Sequence, residues 1–299
     1  MDFNEFVDLI VEGIKEKSSE EVDISVRDID KNNGVKLKGV TIKRHGNNVA
    51  PTIYMENYYE EYKKGQDIAD IVDKILAVYQ DSVLDDDFDI SYYQDFEKIK
   101  GKLFCKVINT KKNAEMLNEV PYEKFCDLSL VVYCRIDELR VDKASILVKN
   151  GHLDMWKVSE EEVIEIAKTN TRNNIGIEIV PIVEAISRNV SLNDEHEKLF
   201  EECSKDCPMY VVTSTDYIFG AVFMCFEEHL KSLAERLGED YYILPSSIHE
   251  IIILRATREY NLDDLGCMVK EVNSTILDAT EILSEHAYLY SRQQEVLIF

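Results

Sequence analysis

Residues 128–134 have the sequence Leu-Ser-Leu-Val-Val-Tyr-Cys, a nearly continuous apolar run with the length of one strand. Valine and tyrosine favour extended backbone, and a strand that is apolar on both faces is typical of the interior of a sheet. The run therefore predicts a central strand. A second apolar run, residues 144–148, is predicted to pair with it.

Patterns typical of helices and strands also occur on the N-terminal side of this run. Residues 3–14 carry apolar side chains three and four positions apart, which predicts an amphipathic helix. Residues 22–42 form two β-like segments around Asn32-Asn33-Gly34, where asparagine and glycine tolerate positive φ. This pattern predicts a β-hairpin.

The C-terminal half combines strand and helix patterns in a similar way. Residues 208–213 and 220–225 predict a second hairpin, and residues 227–237 predict a helix after it. Because strands occur both in hairpins and between helices, we predict an α+β fold. It consists of a mixed, largely antiparallel sheet with helices packed on its faces, preceded by a smaller helix and β-hairpin subdomain.

An acidic stretch, Asp85-Asp86-Asp87, predicts a domain boundary. Residues 1–84 are predicted to form a subdomain of the N-terminal helix, the β-hairpin and two further helices, and residues 85–299 the main α+β domain. The stretch lacks the glycine and the terminal glutamate that an EF-hand requires. We therefore interpret it as a solvated linker rather than a calcium site.

The composition is that of a folded, acidic protein. Hydrophobic residues make up 45% and charged residues 31%, while 34 basic and 58 acidic residues give a net charge of −24. This charge repels nucleic-acid phosphate and anionic lipid, so we expect no direct nucleic-acid binding. No apolar run approaches the roughly 20 residues that cross a bilayer, so we expect no membrane association.

Three further features favour a cytoplasmic protein without a cofactor. The N-terminus is acidic where a secretory signal is basic. Seven cysteines, an odd number, suit reduced thiols better than a disulfide framework. The sequence has no Walker, dinucleotide-binding or zinc-protease motif, so no cofactor is expected. The oligomeric state stays open.

The most suggestive cluster for catalysis is Pro-Ser-Ser-Ile-His-Glu at residues 245–250. Ser246 or Ser247 would be the nucleophile, His249 the base and Glu250 the orienting carboxylate of a hydrolase. The alternative is structural, because Ser247 and Glu250 have the spacing of a helix capping box. We favour the cap, and both interpretations stay open.

His196, Cys203 and Cys207 are the side chains best suited to bind a metal, because zinc prefers imidazole and thiolate ligands. The two cysteines are four positions apart, which one helical face allows. No second ligand pair follows at the spacing of the common zinc motifs. We therefore predict no metal and interpret the cysteines as ordinary loop or helix residues.

The densest basic patch is formed by Lys36, Lys38, Lys43, Arg44 and His45. Alternation along a strand would place Lys36 and Lys38 on one face, which we interpret as the solvent-facing side of the hairpin. Weak binding of phosphate or of a partner is the alternative for this patch.

Three stretches stand out as possible family signatures. They are residues 33–40 with residues 51–56, Leu-Pro-Ser-Ser-Ile-His-Glu at residues 244–250, and Val-Lys-Glu-Val-Asn at residues 269–273 with Leu-Ser-Glu at residues 283–285. Together they resemble a bacterial domain-of-unknown-function family that is common in anaerobic gut Firmicutes, and the resemblance spans the whole chain. It implies an intracellular bacterial protein, with no activity, cofactor or catalytic residue attached.

Our leading hypothesis is a non-catalytic cytoplasmic binding protein whose partner is another protein. Its acidic surface would provide solubility and steer it toward basic partners. The first alternative is a hydrolase that uses Ser246 or Ser247 with His249. The second is an acidic mimic of nucleic acid, which requires carboxylates arrayed on one face at the spacing of phosphates.

Overall fold

The structure is a computed structural model. It describes residues 1–18, 21–47, 49–82, 90–136, 144–189, 209–245, 247–256, 260–275 and 277–299. The chain divides into two compact units. The first unit is Met1–Asp95 with Ile136–Ala144, and the second unit is Phe96–Arg135 with Ser145–Phe299. The predicted boundary between residues 84 and 85 lies outside the described residues and stays a prediction.

The α-helices of the described residues are, in chain order, α1 Phe3–Lys17, α2 Glu56–Lys63, α3 Ile68–Ser82, α4 Ile90–Gln94, α5 Phe96–Ile99, α6 Asn150–Trp156, α7 Glu160–Asn174, α8 Ile182–Asn189, α9 Glu227–Leu237 and α10 Leu262–Thr275. None of the helices in this part of the chain has the length and apolar character needed to span a bilayer.

The strands are β1 Val22–Asp30, β2 Lys36–Arg44, β3 Thr52–Tyr54, β4 Leu103–Asn109, β5 Tyr122–Phe125, β6 Leu128–Arg135, β7 Ser145–Leu147, β8 Ile177–Pro181, β9 Met209–Ser214, β10 Tyr241–Leu244, β11 Glu250–Arg255, β12 Tyr288–Ser291 and β13 Val296–Ile298. They form three sheets, and each described strand pair is antiparallel. The predicted α+β class is confirmed.

The first unit contains the predicted N-terminal helix and β-hairpin, and both are confirmed. Asp2 starts α1 with a capping box, because its side chain accepts a hydrogen bond from the Glu5 backbone N–H at 2.9 Å. Asn33 has a φ of 63° in the turn between β1 and β2. The apolar faces of α1, α3 and the three-stranded sheet share one core.

The smaller sheet of the second unit has β6 at its centre, as the apolar run predicts. β6 pairs with β4 on one side and with β5 and β7 on the other. α7 covers the free edge of β4, where the Cys105 N–H donates to Thr171 Oγ1 at 2.9 Å. An edge strand that is covered in this way does not offer its backbone to another chain.

The larger sheet of the second unit has six strands in the order β13-β12-β10-β11-β9-β8. α10 packs on it through Leu265 and Val269, which share a core with Tyr242 and Leu254. The strands β12 and β13 close one edge of this sheet.

One predicted element is wrong. Residues 220–225 are a buried 3-10 helix instead of a strand, so β9 pairs with β8 and β11. Periodicity does not distinguish a short buried strand from a short buried helix. The chain turns at Phe219, which has a φ of 55°, and the Gly220 N–H donates to the His249 carbonyl at 2.9 Å.

Candidate functional site

Residues 247–249 form a bend that leads into β11, in the second unit. Ser247 Oγ accepts a hydrogen bond from the His249 backbone N–H at 3.0 Å, and Ser247 is 5% exposed. Because the strand β11 begins at Glu250, the capping-box interpretation is wrong. Ser246 lies outside the described residues.

The His249 ring is held by the turn before the 3-10 helix. Its plane stacks on the Phe219 ring, with 5.4 Å between the ring centroids. The Phe219 N–H donates to His249 Nδ1 at 3.3 Å, so the neutral ring carries its proton on Nε2, which lies 3.7 Å from Glu281 Oε1. Because Nδ1 accepts this backbone hydrogen bond, its lone pair is not directed at Ser247 Oγ. Nδ1 of His249 therefore does not serve as the base for Ser247 in this arrangement.

Two carboxyl groups beside His249 titrate above their usual range. Loss of water around Glu250 raises its pKa, and the charge of Glu281 adds to the increase. Loss of water also raises the pKa of Glu281, with a smaller contribution from Asp278. In each case a neighbouring carboxylate adds to the cost of ionising the group in the folded state.

The three predicted metal-binding candidates, His196, Cys203 and Cys207, lie outside the described residues. Among the residues that the structure does describe, no three His, Cys, Asp or Glu side chains come together to hold a metal ion.

Two lysines of the basic patch form ion pairs with carboxylates of the neighbouring strand β1. Lys36 pairs with Asp30 at 3.4 Å and Lys38 with Asp28 at 2.7 Å. Alternation along β2 places both lysines on the strand face that also carries the core residue Val40. The Lys36 side chain is exposed to solvent as predicted, whereas that of Lys38 is partly buried.

The second unit contains a groove of about 800 Å³, which the sequence does not predict. It lies between the C-terminal part of α9 and the hairpin of β12 and β13. Its apolar lining includes Ala234, Tyr242, Ala256 and Leu289. A pocket that combines an apolar floor with a few polar groups is the usual form of a ligand site.

The polar lining of the groove has more acidic than basic groups. The acidic side chains are those of Glu235, Glu239, Asp240 and Glu295, and the basic ones are those of Lys231 and Arg292. With all six ionised, the lining has a net charge of −2 (two positive minus four negative).

Several of these charges already have partners. Lys231 Nζ lies 2.6 Å from Glu295 Oε1, and Glu239 pairs with Arg255. Arg292 donates from its guanidinium to the Gly238 carbonyl at 3.0 Å. Within the described residues, Glu235 forms no hydrogen bond or ion pair from its side chain.

Tyr290 also lines the groove and is 1% exposed. Its ring stacks on Tyr241 with 5.2 Å between centroids. Its hydroxyl is buried and has no hydrogen-bond partner among the described residues. Burial raises the pKa of Tyr290, and the carboxylates of Glu295 and Glu227 contribute further.

The second and third stretches of the family resemblance meet in the second unit. Ser284 N–H donates to the Pro245 carbonyl at 3.0 Å, and Asn273 Nδ2 donates to the Ser284 carbonyl at 2.8 Å. The Ile248 N–H donates to the Glu281 carbonyl at 2.9 Å. These bonds fix the chain entering β12, which gives the stretches a structural role.

Comparison with known proteins gives one match. The family model described as "Family of unknown function (DUF5688)" covers residues 3–292. No curated protein and no solved structure matches the chain. The resemblance to a family of unknown function is thereby confirmed, and the chain belongs to the DUF5688 family.

Proposed function

We propose that the chain is a non-catalytic binding protein whose partner is a protein with a basic segment. The observation that carries this proposal is the groove of about 800 Å³ with an excess of carboxylates in its lining. The net charge of −24 extends the attraction for a basic partner beyond the groove.

The state of Ser247 and His249 counts against the form of the hydrolase alternative that uses Ser247, whereas Ser246 lies outside the described residues. A nucleophile and its base must be within hydrogen-bond reach, with the base lone pair directed at the nucleophile. Here Ser247 Oγ is engaged by a backbone N–H, and so is His249 Nδ1. Catalysis by Ser247 with Nδ1 as the base would require the hydrogen bond from the Phe219 N–H to break first.

The test compares binding and turnover on the same preparation. Fluorescence anisotropy would measure binding of two labelled decapeptides, one alternating leucine with arginine and one alternating leucine with glutamate. We expect saturable binding of the arginine peptide that weakens as salt rises, and none of the glutamate peptide. Equal binding of both peptides, or of neither, would contradict the proposal.

An ester and peptide turnover screen on wild type and His249→Ala completes the test. We expect both proteins to give the same background rate. If the wild-type protein turns over a substrate and a correctly folded His249→Ala variant does not, the binding proposal is wrong and the hydrolase alternative replaces it.

We also infer a cytoplasmic location. The five described cysteines, Cys105, Cys126, Cys134, Cys225 and Cys267, are free thiols, as expected in a reducing compartment. Fractionation of cells that express the chain at its native level tests this inference, and recovery in a secreted or envelope fraction would contradict it.

A further inference from the structure

We infer that the basic segment binds in the groove at the C-terminal end of α9, which recognises a lysine or arginine side chain next to an apolar residue. This inference rests on the proposed function and gives it a site and a chemical specificity.

The end of α9 is the first attraction for a cation. The helix stops at Gly238, which has a φ of 80° and donates its N–H to the Ala234 carbonyl at 2.9 Å. The C-terminal end of a helix carries partial negative charge, which favours cations. The protein's own Arg292 already places a guanidinium at this end, because Nη1 of Arg292 donates to the Gly238 carbonyl at 3.0 Å.

The distribution of charge in the groove is the second attraction for a cation. Lys231 is paired with Glu295, and Arg255 with Glu239. Asp240 accepts a hydrogen bond from the Arg292 backbone N–H at 2.8 Å, and its carboxylate forms no ion pair within the described residues. Glu235, one turn after Lys231 on α9, has no ion pair in the described part of the chain. Glu235 and Asp240 are therefore the carboxylates that an incoming cation meets.

The apolar lining of the groove supplies the third attraction, which acts on the aliphatic part of a basic side chain. Lysine and arginine have aliphatic stems that pack on apolar surface while the charged end stays in a polar environment. Ala256 and Leu289 line the groove with the same acidic groups. An apolar neighbour of the basic residue would bury itself against this floor.

Charge reversal of Glu235 against a matched reversal elsewhere tests the site. Glu271→Lys is the control, because Glu271 is also exposed near the end of a helix and does not line the groove. The probe is the labelled leucine–arginine decapeptide, and the readout is its dissociation constant. Circular dichroism and thermal unfolding check that each variant folds.

We expect Glu235→Lys to weaken binding about tenfold or more, because it places a like charge where the ligand cation binds. Glu271→Lys has the same change in net charge and should stay within about twofold. If Glu235→Lys does not fold, Glu235→Gln replaces it, with an expected loss of about threefold for one exposed ion pair.

Equal losses of affinity in the two charge-reversal variants would show that the groove is not the binding site. The proposed function would still stand. No binding by the wild-type protein would overturn both. The two failures are therefore distinguishable.

Discussion

At the scale of single residues, two tyrosines of β12 have opposite hydrogen-bonding states. Tyr288 is fully buried, and its hydroxyl donates to Asp127 Oδ1. Tyr290 is equally buried, and its hydroxyl has no partner among the described residues. The same chemical change at the two positions should therefore have different effects on the free energy of unfolding.

We expect Tyr288→Phe to lower the free energy of unfolding by about 1–3 kcal/mol, because Asp127 loses a buried donor. Tyr290→Phe removes a buried hydroxyl that lacks a partner and should change stability by less than about 0.5 kcal/mol or increase it. Urea unfolding followed by circular dichroism measures both. A larger loss for Tyr290→Phe than for Tyr288→Phe would contradict this prediction.

The two carboxyl groups beside His249 give a prediction about pH. The charge of Glu281 contributes to the raised pKa of Glu250. In Glu281→Gln, the pKa of Glu250 should fall toward its ordinary value without reaching it, because the loss of water around Glu250 remains. Titration of the Glu250 side-chain carbon by NMR measures this shift. An unchanged pKa would count against the prediction, and Glu161→Gln, in α7, provides the control.

Stability should change with pH in the direction that these raised values dictate. A carboxyl whose pKa is higher in the folded state binds more protons there than in the unfolded state. Stability is therefore lost as pH rises from the ordinary value of about 4.5 through the raised one. We expect Glu281→Gln to be more stable than wild type at pH 7 by a few tenths of a kcal/mol, with the difference shrinking toward pH 4. A difference in stability that grows toward pH 4 would contradict a raised pKa of Glu281 in the folded state.

At the scale of elements, the 3-10 helix Gly220–Cys225 depends on its first glycine. A Cβ at Gly220 would lie 2.3 Å from the Ser214 backbone nitrogen and 2.6 Å from Thr213 Cα, so β9 would have to move. Gly151 in α6 has no atom within 4 Å of the corresponding position and is a matched control.

We expect Gly220→Ala to lower the free energy of unfolding by about 1–3 kcal/mol or more, as overpacking of a core does. Gly151→Ala should be neutral or stabilising by up to about 1 kcal/mol, because alanine favours the helix. Thermal unfolding of both variants makes the comparison. Equal melting temperatures for the two would disprove the steric argument.

Elements whose pattern is long or bounded by clear turn residues could be predicted from the sequence. α1, the hairpin of β1 and β2, and the central strand β6 are examples. Residues 220–225 could not, since six apolar residues fit a buried strand and a buried 3-10 helix equally well. The backbone approach of β9 to Gly220 selects the helix.

At the scale of the whole molecule, the net charge of −24 is the dominant feature. The folded state brings 58 acidic groups closer together than the unfolded chain does, so repulsion opposes folding. Salt screens this repulsion, because the Debye length falls from about 30 Å at 10 mM to about 8 Å at 150 mM.

We therefore expect the melting temperature at pH 7 to rise between 10 and about 150 mM sodium chloride. Tetramethylammonium chloride at equal ionic strength is the control for specific binding of sodium. A melting temperature that falls over this range would show that the exposed ion pairs outweigh the net repulsion.

The sequence by itself determined the α+β class, the acidic character, the family resemblance and most of the regular elements, because these follow from local patterns and from sums over residues. Only the tertiary structure shows what the stretch of residues 245–250 does. The Phe219 N–H donates a hydrogen bond to His249 Nδ1, and a strand begins at Glu250 where the sequence predicts a helix cap. It also alone revealed the groove, whose lining comes from residues 231–242, Ala256 and residues 289–295. Segments that are distant in the chain come into contact only through the pairing of strands and the packing of helices. Such contacts cannot be predicted from a local sequence pattern.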